Sequence, residues 1–270
     1  MDAKEIIFAA MLFNSFQFLV FLVIAFSAYW LFFHRNRALR NVFLLASGYI
    51  FYGWWDYRFL ALIAFSTLVD YFVGRAMHSE ARNAKRKALL GISLLANLGL
   101  LAYFKYANFF IESFADFSRG VLGLEPNISS LSIILPVGIS FYTFQTLSYT
   151  IDIYRKRLEP TKNLIEFAAF VSFFPQLVAG PIERASNLLP QFKEKKIFRY
   201  TDGSEGMRLI VWGLFKKTVI ADNCAPYVNE IFSNYQEQPA SVLFMGAILF
   251  AFQIYGDFSG YSDIAIGTAR

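Results

Sequence analysis

The chain is 270 residues long, 56% apolar and 19% aromatic, and only 17% of its residues are charged. A soluble domain is roughly 45–50% apolar and about 25% charged, so this composition excludes an ordinary soluble domain and points to the membrane. The net charge of +5 falls in short basic clusters between apolar runs, as positive-inside loops do, and argues against a nucleic-acid partner.

A helix crossing the hydrocarbon core needs about 20 mostly apolar residues. Phe16–Phe33 is the first such run. It is longer than a signal-peptide core and ends in His34-Arg35-Asn36-Arg37, so it reads as an uncleaved span with a basic anchor. Asn41–Trp55 is the second, short and closed by the aromatic pair Trp54-Trp55, which suits an interface. Phe59–Met77, the third, carries Asp70, whose expected role is to pair with the helix-end Arg75. Ala88–Phe104 is the fourth, followed by a loop from Lys105 to Glu125. Leu131–Tyr154 is the fifth; it contains Pro136 and Gly138 and ends at Asp152 and Arg155-Lys156-Arg157. Leu164–Gly180 and Ser241–Tyr255 are apolar enough to enter the membrane, whereas Lys216 and Lys217 interrupt Met207–Ala221.

Lys and Arg are concentrated after spans one, three and five, and the alternate connections are poorer in them. The rule that basic loops stay cytoplasmic then places the N-terminus outside and runs the odd spans inward. A basic group at Lys193, Lys195, Lys196 and Arg199 also follows Leu164–Gly180. If both flanks of that run are cytoplasmic, it must dip in and return. Its Phe174-Pro175 and Gly180-Pro181 pairs favour a break, since proline removes a backbone donor and restrains the residue before it. A kinked ordinary span is the alternative. The sequence has no internal repeat and no low-complexity segment, and it reads as one integral membrane domain over residues 1–270.

Signatures of soluble enzymes are absent: there is no dinucleotide fingerprint, phosphate loop or nucleophile elbow. One cysteine, Cys224, excludes an intrachain disulfide framework, and two separated histidines, His34 and His78, give no zinc constellation. Neither histidine is a good catalytic base. Asp257 and Asp263 stand out, because an ionisable group at membrane depth costs roughly 2.5–3.5 kcal/mol on insertion scales. On a helix their six-residue spacing puts them about 240° apart, on separate faces, so they do not form a shared-proton pair. Gly256, Gly260 and Gly267 beside them allow close helix approach. From the residues alone, a packing motif with structural hydrogen bonds is the favoured reading.

Several segments together resemble the membrane-bound O-acyltransferase (MBOAT) family. They are Leu135 to Gln145, Tyr149 to Arg155, Phe173 to Ile182 and Asp257 to Gly267. Asn41 to Trp55 and Tyr103 to Phe109 resemble its alginate O-acetylation branch. The resemblance implies an all-α polytopic helix bundle around a tunnel, with a re-entrant or broken helical element, in the inner (plasma) membrane. It implies transfer of an acyl group, acetyl by expectation, from a cytoplasmic donor such as acetyl-CoA or an acyl carrier to hydroxyls of an extracytoplasmic polysaccharide. No bound cofactor or metal is implied, but partner proteins of an O-acetylation complex are. Substrate-contacting residues are expected at Pro175, Gly180, Pro181, Asp257, Ser259, Tyr261 and Asp263. The family's catalytic histidine lies beyond the Asp257–Gly267 segment, and neither His34 nor His78 matches it. No catalytic residue is therefore assigned, and the 270 residues alone are expected to be inactive. A transporter or a non-catalytic scaffold subunit is the alternative reading.

Overall fold

The computed structural model describes residues 11, 13–123, 131, 133–177, 180–181 and 183–270, and among them every regular element is helical. In chain order these are α1 (Phe16–Ala28, continued by a π-helical turn Tyr29–Phe33), α2 (Arg37–Asp56), α3 (Leu60–Ser79), α4 (Asn83–Leu122) and α5 (Ile139–Tyr154). There follow α6 (Leu164–Val171), α7 (Phe174–Leu177), α8 (Ala185–Leu188), α9 (Tyr200–Phe215, continued by a π-helical turn Lys216–Ala221), α10 (Asp222–Ser233) and α11 (Ala240–Ala269). By length and hydropathy, four helical stretches among the described residues can cross a membrane: Phe16–Phe33, Arg37–Ser79, Asn83–Val121 and Ala240–Ala269. The chain is an all-α membrane helix bundle.

Side chains set several helix starts. Ser15 accepts the Phe18 amide at 3.1 Å, and Asn36 accepts those of Ala38 and Leu39 at 2.9 and 3.2 Å. Asn163 does the same for Ile165 and Glu166 at 2.9 and 3.4 Å. Each satisfies amide donors that the first turn leaves without a partner. Gly123, at φ 63°, closes α4 in the left-handed region that glycine enters without a Cβ clash. Between α3 and α4, the Glu80 carboxylate accepts the Arg82 amide at 3.0 Å and lies 3.6 Å from Lys85. The amide first, and then the lysine, hold this acid below the usual carboxylate range.

Two expected boundaries move. The stretch from Lys105 onward is not a loop, because α4 continues through it to Leu122; Glu125 lies outside the described residues. Forty residues at 1.5 Å rise make about 60 Å, twice the roughly 30 Å hydrocarbon thickness. The charged half from Lys105 to Arg119 is thus length left over after the apolar half has crossed. The fifth span starts at Ile139, not Leu131: Pro136 and the left-handed Gly138 (φ 74°) hold the preceding residues in a turn, leaving a helix of 16 residues.

Leu164–Gly180 is broken, as its prolines led us to expect. α6 ends at Ser172, whose hydroxyl bonds back to the Ala168 carbonyl at 2.8 Å, while the Gln145 amide takes the Phe170 carbonyl at 2.8 Å. Pro175 has no amide hydrogen with which to continue the ladder. The chain restarts as the one-turn, fully buried α7. Val178, Ala179 and Ile182 of this stretch lie outside the described residues.

The described residues fall into two compact units, one from 58–172 with 183–192, the other from 1–57, 173–182 and 193–270. In the first, α3, α4 and α5 pack on one another around a polar centre. Asp70 on α3 is fully buried; its carboxylate accepts the Ser93 hydroxyl at 2.5 Å and the Asn97 amide at 2.9 Å, both from α4. Ser93 also touches Thr150 of α5 at 3.1 Å, and Ser66 of α3 bonds to Asn97. Asp70 is therefore not the partner of Arg75, which instead contacts the Tyr71 hydroxyl at 3.3 Å. The spacing within α3 hid this, because the partners come from other helices. Arg86, expected in a basic loop, is buried and donates to the Met77, Ile153 and Tyr154 carbonyls at 3.1, 3.2 and 2.9 Å. One guanidinium thus caps the ends of both α3 and α5, where the helix dipoles favour a cation.

Replacing Asn97 by leucine removes the amide donor to a buried carboxylate. We expect a loss of about 1–3 kcal/mol in thermal or denaturant unfolding of the detergent-solubilised protein. Leu95→Ala, at a side chain 78% exposed, is expected to change it by no more than about 0.5 kcal/mol.

Candidate functional site

The second unit is organised by α9 and α11, which run antiparallel and meet along glycines. A Cβ placed on Gly213 would lie 2.5 Å from the Gly260 carbonyl oxygen, and one on Gly260 would lie 2.8 Å from that of Gly213. Gly206 and Gly267 make the same reciprocal contact two turns away. Real Cβ atoms do not approach this closely, so backbone meets backbone only because these four positions lack side chains. Small residues permit such an approach between membrane helices.

This proximity decides what the next two residues of the chain can reach. Lys216 and Lys217 open the π-helical turn just after Gly213 and straddle α11. The Lys216 ammonium sits 2.5 Å from the Asp263 carboxylate and donates to the Ser259 hydroxyl at 2.6 Å. The Lys217 ammonium donates to Asp257 and to Asp222, each at 2.6 Å, and lies 5.5 Å from the Tyr261 ring centroid. Both lysines are nearly buried, at 8% and 12% side-chain exposure.

The helical period explains the pattern. Ser259 and Asp263 are four residues apart and share one flank of α11; Asp257 and Tyr261 share the other. The glycines Gly256, Gly260 and Gly267 run between the flanks. The two carboxylates therefore lie on separate faces, and each is held by its own lysine. They are ion-paired rungs of a ladder, not a proton-sharing dyad.

The remaining expected site residues lie in the broken stretch. A Cβ on Gly180 would stand 2.7 Å from the Gln176 Cα, 2.8 Å from the Pro175 carbonyl oxygen and 3.3 Å from Ala265 of α11. Phe174 packs in one apolar cluster with Phe13, Phe18, Phe51, Ile264 and Ala265, and Tyr261 meets Phe13 edge-on at 5.8 Å. The structure thus brings Pro175 and Gly180 against α11 one turn beyond Tyr261. Pro181 follows Gly180 directly, half-buried. Gln176, 6% exposed, is buried with neither side-chain polar atom hydrogen-bonded.

Lys216, Lys217 and Asp222 were missed from the sequence as parts of this site. The signal was available: two lysines in one apolar run need counter-charges, and two carboxylates stand in another apolar run some forty residues on. No group of three or more histidine, cysteine, aspartate or glutamate side chains able to hold a metal ion occurs among the described residues.

A Pseudomonas putida protein named "Probable alginate O-acetylase AlgI" is 42% identical over 261 residues, covering 95% of this chain and 52% of the relative. Over this length the chain is similar to members of the membrane-bound O-acyltransferase family. Another MBOAT relative, the Pseudomonas aeruginosa protein of the same name, is 40% identical over 95% of this chain and 48% of its own length. A Helicobacter pylori "Peptidoglycan O-acetyltransferase" is 34% identical over 95% of this chain and 53% of its own. The chain spans about half the length of the curated MBOAT relatives it matches. No family model matches it.

Because the ladder depends on the glycine seam, Gly213→Val should force α9 and α11 apart. We expect a cost of about 1–3 kcal/mol or more, read as a lowered unfolding midpoint. Gly99→Val on α4, where a Cβ meets nothing within 4 Å, is expected to show no such steric penalty.

Proposed function

We propose that the chain forms part of an O-acyltransferase that moves an acetyl group from a cytoplasmic donor to hydroxyls of an extracytoplasmic polysaccharide. The observation that carries this reading is that relatives named for two different glycans, alginate and peptidoglycan, each align with 95% of the chain. Acyl transfer to a glycan hydroxyl is the chemistry common to both names. We place the protein in the inner membrane with its N-terminus outside, from the distribution of Lys and Arg. Acetyl-CoA or an acyl carrier is the proposed donor, and further proteins of an O-acetylation complex are the proposed partners.

Within this scheme Pro175, Gly180, Pro181, Asp257, Ser259, Tyr261 and Asp263 form a wall of the substrate path. Their role is positional. Every carboxylate of the ladder is ion-paired with a lysine, which suits a group that holds neighbouring helices in place. Gln176 differs, as a buried amide with unused donor and acceptor capacity in the broken element, and it supports a polar contact to substrate there. Acyl transfer needs a base for the hydroxyl proton. His34 follows the end of α1 and His78 is exposed in the last turn of α3. We infer that the base is not among these 270 residues and that they are inactive alone.

The test is incorporation of radiolabelled acetyl into polysaccharide by membranes containing the protein with its partners. We expect ester formation, and a reduction of about tenfold or more for Gln176→Leu with unchanged protein level, equal to the loss of one good substrate hydrogen bond. Membranes carrying only the 270 residues should form none. Absence of any ester with the complete system would refute the reading.

A further inference from the structure

Two adjoining grooves run along α1 and α9, outside the ladder. The first, about 660 Å³, is lined by Trp30, His34, Arg35, Lys195, Lys196 and Phe198. The second, about 610 Å³, shares Phe26 and Phe198 with it and continues along Met207, Val211 and Trp212. The first groove gathers its basic residues at one end, while the second is mainly apolar and also carries Tyr200, Ser204 and Arg208. Phe26, Trp30 and His34 follow one another at four-residue steps on α1 and end at the basic residues. Met207 and Val211 descend α9 from the same end in the opposite direction.

The basic end is built. The buried Arg40 donates to the Glu194 carbonyl at 2.8 Å and so fixes the strand of chain that carries Lys195 and Lys196. Phe198 stands edge-on to Trp30 at 5.2 Å, and Trp30 lies 5.4 Å from His34, whose Nδ1 is buried without a hydrogen-bond partner. Three cations converge there against one weak counter-charge, Glu194, 3.8 Å from Lys196. The apolar end is unpaired in a different sense: Phe26, Met207, Val211 and Trp212 are all exposed, on helices of a membrane bundle.

From this geometry we propose that the groove holds one anionic phospholipid. The phosphodiester lies among Arg35, Lys195 and Lys196. One acyl chain lies along Phe26, Phe198 and Val211. The net cationic end selects an anionic headgroup over a zwitterionic one, which brings its own positive charge. A soluble anion would leave the apolar half unfilled, and a neutral lipid would leave the cations unpaired. This inference does not rest on the acyl-transfer reading, and either can fail without the other.

The test is native mass spectrometry of the purified protein, with phosphatidylglycerol and phosphatidylcholine titrated in detergent. We expect phosphatidylglycerol to be retained and phosphatidylcholine not. Arg35→Gln, Lys195→Gln and Lys196→Gln together should weaken retention about a hundredfold, at roughly fivefold per cation near a membrane surface. These side chains are exposed or half-exposed, so the variant should elute in gel filtration as the parent does. Val211→Trp, which fills the apolar half and keeps every cation, should also reduce retention. Arg82→Gln with Lys87→Gln, on the other unit, should not. Equal retention of the two lipids, or undiminished phosphatidylglycerol binding in both groove variants, would overturn the proposal. So would binding of inorganic phosphate or a soluble nucleotide with no lipid retained.

Discussion

Two ammonium groups and two carboxylates have been taken into an apolar bundle together, and the cost of leaving any one unpaired constrains everything around them. A charge at membrane depth is expensive, and a pair survives only when its partners are within hydrogen-bond reach. That reach is possible because α9 and α11 touch backbone to backbone at Gly206, Gly213, Gly260 and Gly267. Any side chain at the seam would hold the helices apart and strand the lysines. The π-helical turn at Lys216–Ala221 follows the seam directly, and turns of this kind shift the facing of the residues they contain. Here the shift coincides with the point where two consecutive lysines must serve opposite flanks of one helix.

The other unit solves a related problem without ion pairs. Asp70 is held by hydroxyl and amide donors from α4, with threonines of α5 completing the cluster. Arg86 spends its charge on backbone carbonyls at two helix ends. In both units the polar groups inside the bundle are used to lock neighbouring helices together. Gln176 is one of several buried polar side chains outside these networks, and the proposed path for substrate runs past it because it sits in the broken element.

Much of the fold could be read from hydropathy and from proline and glycine. The span at Phe16–Phe33, the break near Pro175 and the separate faces of Asp257 and Asp263 all follow from local rules, because each depends on residues near in sequence. What escaped depends on partners far away. Asp70 looked like a mate for Arg75, five residues on, while its true donors are 23 and 27 residues away. Lys216 and Lys217 looked like an interruption because hydropathy scores them singly, with no account of carboxylates on a facing helix. Arg86 looked like a loop charge because its ligands are main-chain carbonyls, which no side-chain pattern reveals. The length of α4 was hidden for another reason: its charged second half looks like a loop to a scale that measures only preference for lipid. The carboxylates of α11 stood out in the sequence, and the lysines that pair with them did not.

The most direct test of this account is a double-mutant cycle on the Lys216–Asp263 rung, with Lys216→Met, Asp263→Leu and the combination, followed by unfolding in mixed micelles. Removing one partner from a nearly buried pair should cost about 3–5 kcal/mol, and removing both should cost much less than the sum. A coupling of about 2 kcal/mol or more is the predicted result. Additive effects, with coupling near zero, would mean that the lysine and the aspartate do not meet, and would contradict the ladder on which the rest of the site is built.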